Sequence, residues 1–240
     1  MYEARQNKNK NSRVIEKCKV VNSKNPNDNT LKSEILSNKN IQLKMNPYGF
    51  YRPMNLPSIP YNTVRIYGTQ PLTGSPLRSE VFVNAEGPQT SPADLLGMNR
   101  LRSSGLLNEP NSSRTLTRMH VINGRFHGPS NCNNMVLGTA ASNNSSPNSH
   151  YKEVEEPIRS FLRNFPYPRA VHYIITPNYS PPSYIVERYL SINDKKLRNY
   201  FINWTFQGCP DILNCTAFFY YTQDGQTYGL QQNERIRTDL

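Results

Sequence analysis

The chain has 240 residues, a net charge of +11 and only 36% hydrophobic residues, so one ordinary domain with a polar segment is expected rather than a core along the whole length. Mean hydropathy is −0.71, and the sequence contains no run of about 18 apolar residues, so we predict no membrane insertion. The basic balance favours polyanionic partners, nucleic acid above all.

Residues 1–60 are rich in Lys, Asn and Ser and show no sustained apolar period. We therefore predict a low-complexity, basic and disordered N-terminal arm, followed by an α+β domain over 61–240. Most of the excess positive charge lies in this arm, which a solvated tail would also explain. The first residues lack the apolar stretch of a cleaved secretory signal.

Short alternating strands are predicted at 63–67 and 80–83, where β-branched and aromatic residues recur. The segment 85–114 is rich in Pro, Ser, Asn and Gly, which predicts a long loop. A short helix is predicted within it at 93–98.

The central part of the chain predicts a strand, a loop, a second strand and a helix, in that order. The strands are expected at 116–122 and 135–137, with a Gly/Asn loop at 123–134, and the helix at 150–164. Apolar residues spaced along one helical face support the helix, and Ser149 or Asn148 is its candidate N-cap. Pro157 predicts a kink or an early break. The face consists of Val154, Ile158, Phe161 and Leu162.

The last third of the chain is rich in aromatic and β-branched residues, which favours strands. Four strands are predicted there, at 170–175, 183–186, 200–204 and 216–221. No Cys-x-x-Cys pair occurs, which argues against a structural zinc site. Cys209 and Cys215 flank a short loop that a disulfide could close, but free thiols are the expectation without an export signal.

Several residues of the central segment suit phosphodiester hydrolysis. Such a reaction needs a base that activates water and a cation that stabilises negative charge. A histidine is a suitable base near neutral pH, and Mg²⁺ prefers oxygen ligands and retains several waters. The candidate residues follow in a fixed order with separations of 14, 9 and 12 positions. They are His120, Asn134, Asn143 and Glu155.

This order resembles the DNA/RNA non-specific endonuclease family, whose fold is the ββα-metal (His-Me finger) core, and in particular its compact bacterial toxin members. The resemblance spans about 40 residues and places the ββα-metal motif at about 114–165, with additional β-strands outside it. It implies a metal-dependent hydrolysis of DNA, RNA or both, with Mg²⁺ or another divalent cation such as Mn²⁺ as cofactor.

The resemblance also implies individual roles. His120 would be the general base, and Asn134 would tie the loop in place and help to position it. Asn143 would bind the metal through its side-chain oxygen, while Glu155 would orient metal-bound water or bind the metal. Arg118 would contact phosphate, and Arg125 is a second candidate for that contact, because a guanidinium matches phosphate geometry.

Two departures from the family pattern leave alternatives open. Met119 replaces the usual glycine before the histidine and is expected to crowd the approach of the substrate. The segment that follows Asn143 is longer than in many relatives, so Asn144 or Asn148 could be the ligand instead. Asn148 with His150 fits the version seen in toxin relatives, where an Asn precedes a His that Val-Glu follows.

The toxin resemblance implies a secreted or injected effector that acts in the cytoplasm of a target cell. Its expected partners are a secretion or injection apparatus and an immunity or inhibitor protein. The alternative location is the cytoplasm of the producing cell. Two further functions remain open, namely a catalytically inactive ββα-metal scaffold that binds nucleic acid or serves as structural cargo, and a protein that binds nucleic acid through its basic arm.

Overall fold

The computed structural model describes residues 51–104, 115–181 and 183–238. They form an α+β fold in which a large antiparallel sheet packs against a small hairpin and several helices. The strands are β1 (Arg52–Pro53), β2 (Thr63–Thr69), β3 (Pro76–Val83), β4 (Leu116–His120), β5 (Met135–Thr139), β6 (Arg169–Asn178), β7 (Ile212–Gln223) and β8 (Gln226–Arg237). The α-helices are α1 (Met98–Ser103), α2 (Glu156–Asn164), α3 (Ser183–Glu187) and α4 (Lys195–Gly208).

Six strands form the large sheet in the order β1-β8-β7-β6-β3-β2, with every neighbouring pair antiparallel. The longest pairing joins β7 to β8 through a two-residue turn at Asp224 and Gly225, whose φ angles are 51° and 76°. Two successive positive φ angles are the geometry that an Asp-Gly hairpin turn provides at low cost. The short strand β1 pairs with β8 and forms one edge of the sheet.

The second sheet is the hairpin of β4 and β5, in which His120 lies opposite Met135. The hairpin lies between two hydrophobic cores. One face contributes Met119 and Val136 to a core shared with α2 and the large sheet. The other face contributes Met135 and Leu137 to a core that contains α1, α3 and α4. Because both faces are buried, the position of the end of β4 is fixed from two sides.

The helical segment after the hairpin begins with π-helical turns at Ala141–Ser145 and Tyr151–Glu155 and continues as α2. The Ser149 side chain accepts a hydrogen bond from the backbone N–H of Lys152, at 3.3 Å, as the predicted cap requires. Pro157 occupies the first turn of α2, directly after the π-helical turn, and has no N–H to donate to a carbonyl of that turn. The predicted break therefore takes the form of a change from π-helical to α-helical geometry. The predicted apolar face is buried in the first core.

The strands predicted at 183–186 and 200–204 are wrong, because both segments are helical. Four residues of α4 are buried at helical spacing, although the window 200–204 alone looks like an aromatic strand. Asp194 caps this helix by accepting hydrogen bonds from the N–H groups of Lys196 and Leu197. The buried stripe of α4 consists of Phe201, Trp204, Thr205 and Gly208, whereas Leu197 near the N-terminus of the helix is exposed.

The helix predicted at 93–98 is also misplaced, since the helix starts at Met98. Gly97 precedes it with a φ of 75° and packs against Trp204 and Tyr200, where a larger residue would not fit. The predicted loop continues through 105–114, which lie outside the described residues. Residues 1–50 of the predicted arm lie outside them as well, whereas Arg52–Pro53 pair with β8 as part of the sheet.

Cys132, Cys209 and Cys215 are free thiols, which confirms that expectation for the described cysteines. Burial raises the pKa of Cys209 and of Cys215 to about 12, so neither thiol is reactive near neutral pH. Within the described ranges, every helix is too short or too polar to cross a bilayer.

Candidate active site

His120 is the last residue of β4 and is buried, with 7% of its surface exposed. It points to the same face of the hairpin as Arg118, because side chains two residues apart in a strand share a face. Its Nε2 lies 3.3 Å from Thr90 Oγ1. Burial lowers the pKa of His120 from its usual value of 6.5. The imidazole therefore stays neutral, and able to accept a proton, at physiological pH.

Asn134 fastens the loop that follows His120. Its Oδ1 accepts from the N–H of Ile122 at 2.9 Å, and its Nδ2 donates to the carbonyls of Ile122 and Pro129 at 2.7 and 3.0 Å. Asn134 is fully buried, so these three bonds satisfy groups that water does not reach. Gly128 completes the loop, because a Cβ at this position would collide with the carbonyl oxygen of Ile122.

Glu155 lies at the end of the second π-helical turn and is 4% exposed. Its Oε2 accepts a 2.7 Å hydrogen bond from Asn123 Nδ2, and Asn123 Oδ1 in turn accepts from the N–H of Arg125. Burial raises the pKa of Glu155 to about 7, although the bond from Asn123 and the charge of Arg159 oppose this rise. Asn123 is three residues after His120, a Cα separation of at most about 11 Å. Asn123 thus links the loop that follows His120 to the π-helical turn that contains Glu155.

His150 is fully buried and lies next to the carboxyl group of Glu155. Its Nδ1 is 3.3 Å from Glu155 Oε1, without the alignment of a hydrogen bond. Its Nε2 lies 2.6 Å from the hydroxyl of Tyr173, which donates to Cys215 Sγ at 3.5 Å. Burial lowers the pKa of His150 to about 4. The surroundings of the pair therefore favour a neutral imidazole beside the Glu155 carboxyl group.

Both predicted phosphate-binding arginines form ion pairs with one irregular segment, residues 85–94, which we call the 85–94 segment. Arg118 Nη1 lies 2.9 Å from Asp94 Oδ1 and also donates to the carbonyl of Pro92. Arg125 Nη1 lies 3.8 Å from Glu86 Oε2. Hydrogen bonds from Arg102, with the charges of Arg102 and Arg118, hold the pKa of Asp94 below its usual value. The same segment contributes Thr90, the neighbour of His120.

The three candidate asparagine ligands lie between β5 and the helix. Asn143 belongs to the first π-helical turn and is half-buried, whereas Asn144 and Asn148 are exposed. Among the described residues, none of the three forms a hydrogen bond or ion pair with His120 or Glu155. The β4–β5 loop therefore connects to Asn134 through Ile122 and to Glu155 through Asn123, and the choice among the asparagines stays open.

The expectation that Met119 crowds the substrate is wrong. Met119 is fully buried and belongs to the first core, because neighbouring residues in a strand point to opposite faces. Its side chain therefore points away from the face that carries His120.

Asn123 and Thr90, which contact Glu155 and His120, were not predicted from the sequence. Asn123 could have been found from its position before Gly124 and Arg125, where an Asn typically caps a turn. Thr90 carries no comparable signal, since it lies 30 residues before His120 in an irregular segment.

The donor chemistry of the site suits a hard cation. The structure shows no group of three His, Cys, Asp or Glu residues able to hold a metal within its described ranges, which argues against an all-protein cage. Mg²⁺ needs only one or two protein oxygens besides water, and asparagine amides and the Glu155 carboxyl group are oxygen donors. Comparison of the chain with protein-family models, with curated proteins and with solved structures finds no match.

Proposed function

We propose that this chain is a metal-dependent, sequence-non-specific nuclease that hydrolyses phosphodiester bonds of DNA, RNA or both. The observation that carries the proposal is the bond from Asn123 Nδ2 to Glu155 Oε2, at 2.7 Å. It joins the loop after His120 to the helix after β5. This is the order of parts in the ββα-metal core that the sequence resembles.

His120 is the proposed general base. A base must be unprotonated and must lie where a water molecule can reach it. The lowered pKa of His120 meets the first condition, and 7% of its surface is open to solvent. Thr90 Oγ1 lies within hydrogen-bond distance of Nε2 and is the group that a reacting water would replace or share.

An asparagine side chain, Asn143 or Asn148, is the proposed protein ligand of Mg²⁺ or Mn²⁺. Both oxygens of Glu155 already have neighbours, Asn123 and His150, so an orienting role suits Glu155 better than direct coordination. When bound, the cation would stabilise negative charge on the phosphate and on the leaving oxygen. Arg118 and Arg125, whose partners in the structure are Asp94 and Glu86, would hold the flanking phosphates.

The proposed biological setting follows from the resemblance to compact toxins. It is delivery into a target cell by a secretion or injection apparatus, with an immunity or inhibitor protein that protects the producer. The second candidate function is an inactive scaffold that binds nucleic acid or serves as cargo. One observation favours it, since both candidate phosphate-binding arginines already have carboxylate partners.

Removal of the metal separates these two functions. We expect the full chain to degrade plasmid DNA, total RNA or both in Mg²⁺ or Mn²⁺, and to leave them intact in excess EDTA, because water activation needs the cation. Gel electrophoresis over time measures the loss of intact substrate. Nucleic acid that stays intact with the folded protein in all divalent metals would favour the inactive scaffold.

The pH dependence of cutting tests the role of His120. A lowered pKa means that the imidazole takes up its proton only below pH 6.5, so the neutral base persists to more acidic solution. We therefore expect the limb of the kcat/KM profile that belongs to His120 to lie below pH 6.5, and a limb near pH 7 to belong to Glu155. NMR titration of the His120 Cε1–H signal measures the same group directly, and a midpoint above 6.5 in that titration would contradict the assignment.

A further inference from the structure

Glu86 is surrounded by three arginines from two parts of the fold. Arg163 Nη2 donates to Glu86 Oε2 at 2.8 Å, Arg159 Nε lies 3.4 Å from the same oxygen, and Arg125 Nη1 lies 3.8 Å from it. Three positive charges therefore lie around the one carboxylate of Glu86, and Arg159 is also close enough to Glu155 to oppose the rise of its pKa. We call Arg125, Arg159 and Arg163 the arginine cluster.

Contacts within the protein already hold the side chains of the arginine cluster in position. Arg159 and Arg163 are four residues apart on α2 and lie on one helix face, where like charges repel. Arg159 also donates to the hydroxyl of Tyr151 at 3.2 Å, which fixes its guanidinium. The Glu86 side chain is only 13% exposed, while those of Arg125 and Arg163 are 38% and 53% exposed. One largely buried carboxylate thus holds three cations, of which Arg125 and Arg163 are partly open to solvent.

An anion with several oxygens would satisfy this arrangement. Guanidinium groups donate paired hydrogen bonds that match phosphate oxygens. The cluster also lies near His120, since Glu86 is four residues from Thr90, a Cα separation of at most about 14 Å. Each strand of duplex DNA carries a phosphate about every 3.4 Å along its axis. A strand bound at His120 would therefore reach the cluster within about four phosphates.

We propose that the arginine cluster binds the phosphodiester backbone of nucleic acid beyond the scissile position, and that Glu86 competes with phosphate for the same guanidinium groups. This proposal rests on the proposed nuclease function, because it takes nucleic acid as the ligand. The cluster adds affinity without touching the reacting atoms. It would recognise backbone rather than sequence, since phosphate contacts carry no base information.

The test is binding of a fluorescent 20-base-pair DNA duplex to the full chain in EDTA, measured by anisotropy between 50 and 200 mM salt. We expect Arg163→Gln to lower the slope of log K against log salt by about 0.9, the contribution of one phosphate contact to duplex DNA. Its affinity should then fall about 3.5-fold less over this range of salt than that of the parent chain. Arg163→Lys should retain the slope, and Glu86→Gln should tighten binding.

Arg235→Gln is the matched control. Arg235 is exposed on β8 and lies opposite Asn214, on the sheet face that is turned away from α2. Arg235→Gln removes the same charge as Arg163→Gln, and we expect it to leave the slope of log K against log salt unchanged. Equal slopes for Arg163→Gln, Arg235→Gln and the parent, in variants with the parent's melting temperature, would overturn the proposal.

The outcome is independent of chemistry, because EDTA prevents metal-dependent cutting. A lowered slope for Arg163→Gln supports the arginine cluster even if the full chain cuts no substrate in Mg²⁺. An unchanged slope in a chain that does cut overturns the cluster alone and leaves the nuclease function standing.

Discussion

The His120→Ala variant is expected to cut nucleic acid about 10²- to 10⁴-fold more slowly than the parent chain, which is the usual contribution of a general base. The loss should appear in kcat with saturating Mg²⁺, because His120 is proposed to act on water rather than to hold substrate. Single-turnover digestion of a labelled duplex and of a labelled RNA measures it. Binding of the same duplex in EDTA should remain close to that of the parent.

His127→Asn is the matched control for this variant. His127 belongs to the same loop, and its Nε2 lies 3.0 Å from the carbonyl of Ala85. Its φ is +64°, a conformation that asparagine tolerates better than most residues. We expect this variant to cut within a few-fold of the parent rate. Comparable losses in the two variants would point to damage of the loop rather than to removal of a base.

The Asn134→Ala variant is expected to lose about 3 kcal/mol of unfolding free energy. The substitution removes three hydrogen bonds and leaves the N–H and the carbonyl of Ile122 without their partner in a buried place, and each such group costs about 1–3 kcal/mol. For a domain of this size the change corresponds to a fall of about 6–12 °C in Tm. Thermal unfolding followed by circular dichroism measures it.

Asn133→Ala provides the comparison, since Asn133 precedes Asn134 directly and is exposed. Its Oδ1 takes only a 3.4 Å contact from the Cys132 thiol, so its removal should shift Tm by no more than about 2 °C. If Asn134→Ala and Asn133→Ala had the same Tm, the stability of the loop would not depend on the buried side-chain amide of Asn134.

Local patterns in the sequence predict the strands and the helix around the site well. The alternation at 116–122 gives β4, and the spacing of Val154, Ile158 and Phe161 gives the buried helix face. These elements are predictable because each buries a face whose period can be read within a few residues. The helix α4 is not predicted in this way, because the helical spacing of its buried residues is visible only over the whole range from Phe201 to Gly208.

The contacts that shape the site could not be predicted in the same way. Thr90 reaches His120 across 30 residues, and Glu86 reaches Arg163 across 77. Both lie in an irregular segment that has no period to read, so its position depends on tertiary packing. The order of His120, Asn134 and Glu155 in the sequence points to a site, while the ion pairs of Arg118 and Arg125 emerge only in the folded chain.

The 85–94 segment also bears on how the protein can change over evolutionary time. Thr90, Glu86 and Asp94 influence the histidine and both pairs of arginine contacts, yet none of them belongs to either hydrophobic core. Under the proposed function, a substitution at Glu86 or Asp94 would therefore alter the affinity for nucleic acid without changing a residue of either hydrophobic core. Under the proposed function, the affinity for nucleic acid and the stability of the fold would therefore depend on different residues.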